Sequence, residues 1–223
     1  EVMKLSRTGH TSWTLTEVAF TAGPYLPTNT TATTITPQQA AAASGKTLTL
    51  SAVTGVNGGV GWLGTDVGRV MSMNGGKATI TARTNATVAV ATITDAFTNA
   101  DATAAFKLGA FSDTTGHPSC VSFFEQRLVF AGTTDEPQTL YFSKSGDYEN
   151  MTTGTNADDA MVYTIASNQV NKIRYLKSVR TLLIGTTGGE FSVSADGTDA
   201  AVTPTNVTIK RQSSFGAANV DAQ

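Results

Sequence analysis

The sequence predicts an all-β protein, and its composition and its pattern of short segments both support that prediction. Only 14% of the 223 residues are charged, well below the usual quarter, and threonine, alanine and glycine fill the difference. β-Branched threonine suits half-buried and exposed strands. Short alternating segments recur between turns rich in Gly, Asn and Asp. The length allows one large domain or two small ones.

Residues 1–26 contain the first two predicted strands, 4–7 and 12–16, before Gly23-Pro24 breaks the pattern. The chain opens on Glu1-Val2-Met3-Lys4, which is neither a signal peptide nor a natural start. We therefore expect a fragment of a longer polypeptide.

Residues 27–108 differ in composition, being rich in threonine, and predict a small inserted β-barrel or sandwich. The segment KTLTLSAV (46–53) alternates strictly and places Leu48 and Leu50 on one face. Further strands are predicted at 77–82 and 87–93. Residues 37–43 fit either one helical turn or a loop.

Residues 109–223 are richer in aromatic and apolar strands. Residues 121–132 predict one strand with apolar side chains on both faces, which pairs with 139–143 as a hairpin. A second hairpin is predicted from 181–185 and 190–194. The segments LVFAGTT and LLIGTT end at Thr134 and Thr187, 53 residues apart. This offset is close to the length of a β-propeller blade.

The candidate catalytic motifs favour structural roles. The segment 59–64 matches G-x-G-x-x-G, but it lacks the flanking strand, helix and downstream acid of a dinucleotide site. A turn with Trp62 folded back onto the barrel explains it better. His117 and Cys120 lie in a turn without a third orienting group, so a nucleophilic pair is not indicated. The single cysteine excludes an internal disulfide and zinc sites with three or four cysteines.

Two pairs of carboxylates, Asp158-Asp159 and Asp196 with Asp199, raise the question of calcium binding or glycoside hydrolysis. Neither pair has the spacing of a calcium loop, and acids in turns usually accept backbone hydrogen bonds. The sequence leaves bound calcium open and predicts no cofactor and no metal.

Arg127 lies between Phe123-Phe124 and Val129-Phe130, in a strand that reads as interior. A buried guanidinium needs a partner, and Asp147 or Glu190 is the expected carboxylate. We interpret Arg127 as a structural pin that holds two strands together.

The run GHPSCVSFFEQRLVFAGTTDEPQTLYFSKSGDYENM (116–151) resembles a motif in long tail proteins of tailed phages and prophages. The similarity includes Asp158-Asp159, segments 167–173 and 184–190, and the end QSSFG (212–216). Segments 5–9, with Trp13, and 23–25 match the segment that usually precedes this motif, and segment 66–69 fits the intervening insert. The resemblance is specific in residues 116–216 and looser in 27–108. The residues that carry the motif are Phe123, Phe124, Arg127, Gly132, Ser143, Gly146, Asp147, Tyr148, Gly189 and Glu190.

These proteins are similar to the nozzle, or tail tubular protein B, of short-tailed phages. The resemblance implies part of a β-propeller platform, with residues 1–26 as first strands, 109–223 as further blades, and 27–108 as an insert likened to the FCCH domain of ubiquitin-activating enzymes. It further implies a six-fold homo-oligomeric ring in the virion tail. Such a ring contacts adaptor and fibre or spike proteins and lets DNA pass without sequence-specific binding.

The net charge of −2 fits that role, because a global basic field would retain DNA. No apolar run is long enough to span a bilayer. The alternative is a host-surface or glycan-binding adhesin module, with Trp62 and Tyr25 as its exposed aromatics. A hydrolase is disfavoured, since convergent catalytic groups are scarce, and we expect no enzyme.

Overall fold

The computed structural model describes residues 1–166, 170–197 and 200–218 and confirms the all-β class. Strands account for 46% of the residues and helices for 3%. The chain forms two compact units, Gly23–Gly116 and the combination of Glu1–Ala22 with His117–Gln223. Each unit has its own apolar core.

The unit that combines residues 1–22 with the chain after residue 116 begins with the predicted pair of strands, β1 (Met3–Arg7) and β2 (Trp13–Glu17), which form an antiparallel hairpin. Leu5 lies opposite Leu15, and Arg7 lies opposite Trp13. Every residue of the two strands except Ser6 is exposed. The hairpin therefore adds almost nothing to the core.

Residues 23–116 form a six-stranded antiparallel sheet that curls into a half-barrel. The predicted alternation is confirmed, because Leu48 and Leu50 are buried in its core. Residues 38–42 form a loop, which decides against the helical turn. The strands are β3 (Ile35–Pro37), β4 (Ala43–Leu50), β5 (Val70–Met73), β6 (Gly76–Arg83), β7 (Val88–Asp95) and β8 (Lys107–Leu108), in the order β3-β4-β7-β6-β5-β8.

The half-barrel begins and ends on adjacent chain segments. The Leu26 amide donates to the Leu108 carbonyl at 2.8 Å, and the Ala110 amide donates to the Pro24 carbonyl at 2.8 Å. Tyr25 and Gly109 form the antiparallel bridge between these two bonds. The chain therefore enters and leaves this unit side by side.

The remainder of the chain forms two four-stranded antiparallel meanders, in each of which consecutive strands are neighbours. Their inner faces share one apolar core, to which both contribute, for example through Val129 and Ile184. The first meander is β9 (Cys120–Phe124), β10 (Arg127–Ala131), β11 (Thr139–Phe142) and β12 (Met161–Thr164); the second is β13 (Ile173–Ser178), β14 (Leu182–Thr186), β15 (Gly189–Ser194) and β16 (Thr208–Ser213).

Both predicted hairpins are confirmed, as β10–β11 and β14–β15. The repeated segments occupy equivalent places, because β10 and β14 are each the second strand of a meander. Cys120 and Ile173, the first residues of the two meanders, are also 53 residues apart. The offset seen in the sequence is thus the length of one structural repeat.

The prediction of a single strand over 121–132 is wrong. Glu125 and Gln126 form a two-residue turn between β9 and β10, with φ angles of 46° and 59°. Two positive φ angles define the type I′ turn, which matches the twist of paired strands but usually selects Asn and Gly. The turn was missed because neither residue has that signature.

Replacing Gln126 with glycine is expected to stabilise the protein by about 0.5–1 kcal/mol, since glycine adopts positive φ without a steric penalty. Urea unfolding followed by circular dichroism measures the change. The matched control, Ser122→Gly in the middle of β9, is expected to destabilise, because glycine in a strand costs entropy. Equal shifts of both midpoints in one direction would contradict the interpretation.

Candidate functional site

Most of the motif residues come together around the β9–β10 hairpin, where Arg127 is the central group. The side chain is 2% exposed. Its Nη1 donates to the carbonyl oxygens of Ser143 at 2.8 Å, Asp159 at 2.7 Å and Asp158 at 3.3 Å. Its Nη2 donates to the Ala157 carbonyl at 2.5 Å. We call this group of carbonyls and the guanidinium the Arg127 knot.

The prediction that a carboxylate of Asp147 or Glu190 pairs with Arg127 needs correction. The guanidinium donates instead to backbone carbonyls. Burial lowers the pKa of the guanidinium, while the charges of Asp158, Glu125 and Asp159 raise it again. Carbonyl dipoles and nearby carboxylates thus share the compensation of one buried cation.

Ser143 joins β11 to the start of β10. Its buried hydroxyl accepts from the Leu128 amide at 2.9 Å and donates to the Lys144 carbonyl at 2.9 Å. Its own amide donates to the Leu128 carbonyl at 2.8 Å. The motif serine therefore satisfies backbone groups at the place where the ladder ends.

The Gly-Asp-Tyr turn folds back on the same hairpin. The Gly146 amide donates to the Gln126 carbonyl at 2.8 Å, with Gly146 at a φ of 73°. The Asp147 amide donates to the Lys144 carbonyl, closing the turn. The Tyr148 ring meets Phe123 edge to face, with centroids 5.2 Å apart. Phe124, by contrast, points into the core.

The other motif residues, Gly132, Gly189 and Glu190, lie away from the Arg127 knot. Gly132 has a φ of 76°, and its carbonyl accepts from the Ser119 hydroxyl at 2.9 Å. Gly189 and Glu190 begin β15 in the second meander. The Glu190 carboxylate accepts from the Ser213 hydroxyl at 2.8 Å and from the Tyr175 hydroxyl at 3.4 Å. Segment 167–169, inside the predicted similarity, lies outside the described residues.

The carboxylate pair Asp158-Asp159 is bridged by a lysine. The Lys144 ammonium lies 3.2 Å from both Asp158 Oδ2 and Asp159 Oδ1. Asp159 Oδ2 also accepts from the Asn156 amide at 3.0 Å. The pair therefore stabilises the loop that carries the carbonyls of the Arg127 knot. In the second pair, Asp199 lies outside the described residues.

Stability is expected to fall in acid through Asp159. The hydrogen bond from Asn156 and the nearby Lys144 lower the pKa of its carboxyl below the ordinary 3.8. A depressed pKa gives stability that is fully present above the unfolded value and is lost as the pH falls through the folded one. Urea midpoints measured from pH 5 to 2 should drop less in Asp159→Asn than in the wild type. Parallel curves would contradict the assignment.

In the half-barrel, the G-x-G-x-x-G segment belongs to a second buried polar cluster, centred on Asp66. Its carboxylate accepts from the Asn57 side chain at 2.7 Å, the Leu63 amide at 2.8 Å, Arg69 Nη1 at 2.9 Å and the Thr114 hydroxyl at 2.8 Å. Both charged side chains are at most 1% exposed. This ion pair was not foreseen, although the spacing of three residues was visible in the sequence.

The aromatics proposed for an adhesin do not form an exposed platform. Trp62 is 0% exposed and lies in the half-barrel core, where the turn interpretation placed it. Tyr25 is only half-buried, but its hydroxyl is buried, and this burial raises its pKa. The Cys120 thiol is also buried, 3.8 Å from the Ile173 carbonyl oxygen. It is a packed thiol.

An apolar groove of about 500 Å³ lies in the unit with the two meanders. It is bounded on one side by β1 and on the other by the outer face of β9 and β10. Phe123 is 60% exposed there, and Val121 is 59% exposed. The apolar residues lining it include Met3, Leu5, Val121, Phe123, Leu128, Phe130 and Tyr148, and its charged residues are Glu1, Lys4 and Glu149.

Compared with known proteins, the chain matches no family model, and a search of curated proteins gives no match. Within the described residues, no three His, Cys, Asp or Glu side chains gather as metal ligands. Across residues 1–166, 170–197 and 200–218, no helix is long and apolar enough to cross a bilayer.

Proposed function

We propose that the chain is a structural component of a phage tail, part of a nozzle-like ring that forms the DNA conduit and supports adaptor and fibre proteins. The observation that carries the proposal is the pair of meanders in succession, repeating every 53 residues on one shared core. Each blade of a β-propeller is a four-stranded sheet, and neighbouring blades pack face to face. The two meanders of this chain would be two blades of the proposed platform.

The roles of the motif residues support the same proposal. Arg127, Ser143 and Gly146 satisfy backbone groups and hold the chain's own turns. Residues of a catalytic motif would instead converge on a pocket with a nucleophile or a general base. A motif that holds a frame suits a protein whose work is assembly and shape.

The sheets provide further support, because the first meander is apolar on both faces. Its inner face contributes Phe124 and Val129 to the core, while its outer face carries Phe123 and Phe130. A sheet that is apolar on both faces needs a layer on each side. Such a layer is expected of a platform built from neighbouring sheets.

Immunogold labelling of virions of the source phage with antibody against this chain tests the proposal. Label around the tail below the portal is the expected result. Label confined to outlying fibres would favour the adhesin alternative, and a glycan screen would follow. Particles without any label would overturn the structural role.

A further inference from the structure

We propose that residues 201–207 form a strap by which the second meander holds the first, and that the Glu125 carboxylate fastens this strap. When the bond to Glu125 breaks, the strap lifts from the first meander and uncovers the core that the two sheets share. Both meanders belong to the same compact unit. This conformational device goes beyond the proposed tail role and does not depend on it.

The strap lies in the connection between β15 and β16, but it is fastened to the first meander. The Val202 amide donates to Glu125 Oε2 at 2.6 Å, and Glu125 lies in the β9–β10 turn. The Tyr163 hydroxyl, on β12, donates to the Pro204 carbonyl at 2.7 Å. Burial raises the pKa of the Tyr163 phenol, which therefore keeps the proton that it donates. Side chains from two elements of one sheet thus hold a loop of the other.

Val202 closes the core beneath the strap. Its side chain is 2% exposed and lies in the apolar core to which both meanders contribute. Cys120, at the start of β9, belongs to the same core and is 8% exposed. The bond to Glu125 is made by the backbone amide of the residue whose side chain fills the core. Breaking that bond therefore frees the side chain as well.

The strap is closed on itself, so it can move as one body. Thr203 and Asn206 exchange backbone hydrogen bonds at 3.2 and 3.1 Å. The Asn206 side chain also accepts from the Asp196 amide at 2.8 Å. These bonds are internal to the β15–β16 connection and persist when Glu125 is released. Lifting the strap leaves the two sheets intact, so it costs less free energy than unfolding the unit.

Glu125 lies where its bond can be broken. The residue is exposed, although its carboxylate is bonded. Its φ of 46° and the φ of 59° at Gln126 lie in the left-handed region, which long side chains disfavour. A strained turn keeps such a geometry because its surroundings hold it there. The Val202 amide supplies one of these contacts, and the Gly146 amide, which donates to the Gln126 carbonyl, supplies another.

Native-state hydrogen exchange of the purified chain, followed by NMR, tests the strap. In the wild type, exchange of the Val202 amide should be insensitive to low concentrations of urea, because lifting the strap exposes little surface. The amides of β10 and β14 should exchange faster as urea rises, because they require unfolding of the unit.

Substitutions then assign the bond to Glu125. Glu125→Ala is expected to accelerate exchange of the Val202 amide by about 10- to 100-fold, the loss of one hydrogen bond to a charged group. Glu125→Gln keeps an acceptor oxygen and should restore most of the protection. Tyr163→Phe should accelerate exchange by about 3- to 10-fold, because its lost bond is neutral. Glu17→Ala is the matched control, since Glu17 is an exposed carboxylate on β2.

The Cys120 thiol measures whether the core is uncovered. It is the single cysteine of the chain, so labelling by a maleimide reports this position alone. Its labelling rate in native buffer is expected to rise in Glu125→Ala by the same factor as exchange of the Val202 amide. Circular dichroism verifies that each variant is folded.

Three results would overturn the proposal. The first is a Val202 amide whose exchange in the wild type follows urea as steeply as the amides of β10 and β14, which needs no variant. The second is equal Val202 exchange in Glu125→Ala and Glu17→Ala. The third is accelerated Val202 exchange without faster labelling of Cys120, because the strap would then lift and leave the core covered.

Discussion

Replacing Arg127 with methionine is expected to lower the free energy of unfolding of the meander unit by about 3–5 kcal/mol. The substitution removes the donor for the buried carbonyls of Ser143 and Asp159 and for the more exposed carbonyl of Ala157. Methionine fills the volume but donates nothing, so the two buried oxygens lose their partner without gaining water. Urea unfolding followed by far-ultraviolet circular dichroism measures the loss.

The matched control is Arg180→Met, because Arg180 is exposed. It is expected to change the free energy of unfolding by less than about 0.5 kcal/mol. Arg127→Lys should fall between wild type and methionine, since a lysine keeps the charge but lacks the planar fork that reaches several carbonyls. If the two arginine-to-methionine variants unfold alike, the Arg127 knot does not hold this unit together.

Replacing Asp66 with alanine is expected to destabilise the half-barrel by about 3–5 kcal/mol. The variant leaves the Arg69 guanidinium buried without its carboxylate and removes the acceptor for the Leu63 amide and Thr114 hydroxyl. The guanidinium keeps bonds from Nε to the Gly109 carbonyl at 2.9 Å and from Nη1 to Asn57 Oδ1 at 2.8 Å, but neither acceptor carries a negative charge. An unpaired buried charge costs more than the lost hydrogen bonds.

Trp62 provides a specific probe of this variant, since its indole is buried in the half-barrel core. In a Trp13→Phe background its emission follows the unfolding of that unit alone. Asp95→Ala is the control, because Asp95 is 58% exposed and pairs with Lys77 at 2.9 Å on the surface. Its expected cost is about 0–1 kcal/mol. Equal midpoints for the two alanine variants would contradict the role of Asp66.

The sequence predicted elements well where local pattern and packing agree. Leu48 and Leu50 alternate in a half-buried strand, and the structure buries both. The Asn74-Gly75 turn consists of two residue types that readily adopt positive φ, and it closes the β5–β6 hairpin. The 53-residue offset was visible because equivalent strands of the two meanders carry similar residues.

Other features depended on tertiary structure that one sequence does not display. Glu125 and Gln126 adopt positive φ because the paired strands impose the turn, against the preference of both residues. Arg127 was recognised as buried, but its partners are backbone carbonyls, and every residue has one. Only the path of the 144–159 loop decides which carbonyls meet it. Whether the meanders belong to a propeller stays a prediction.

The adjacent ends of the half-barrel have a consequence for how this protein can change. Because Leu26 and Leu108 are hydrogen-bonded neighbours, the points at which the chain enters and leaves the half-barrel lie only a few ångströms apart. The entropy of closing a connection depends on its length only slowly, and folded ends held together reduce that cost further. We therefore expect the meander unit to tolerate changes in the length of the half-barrel between these two ends.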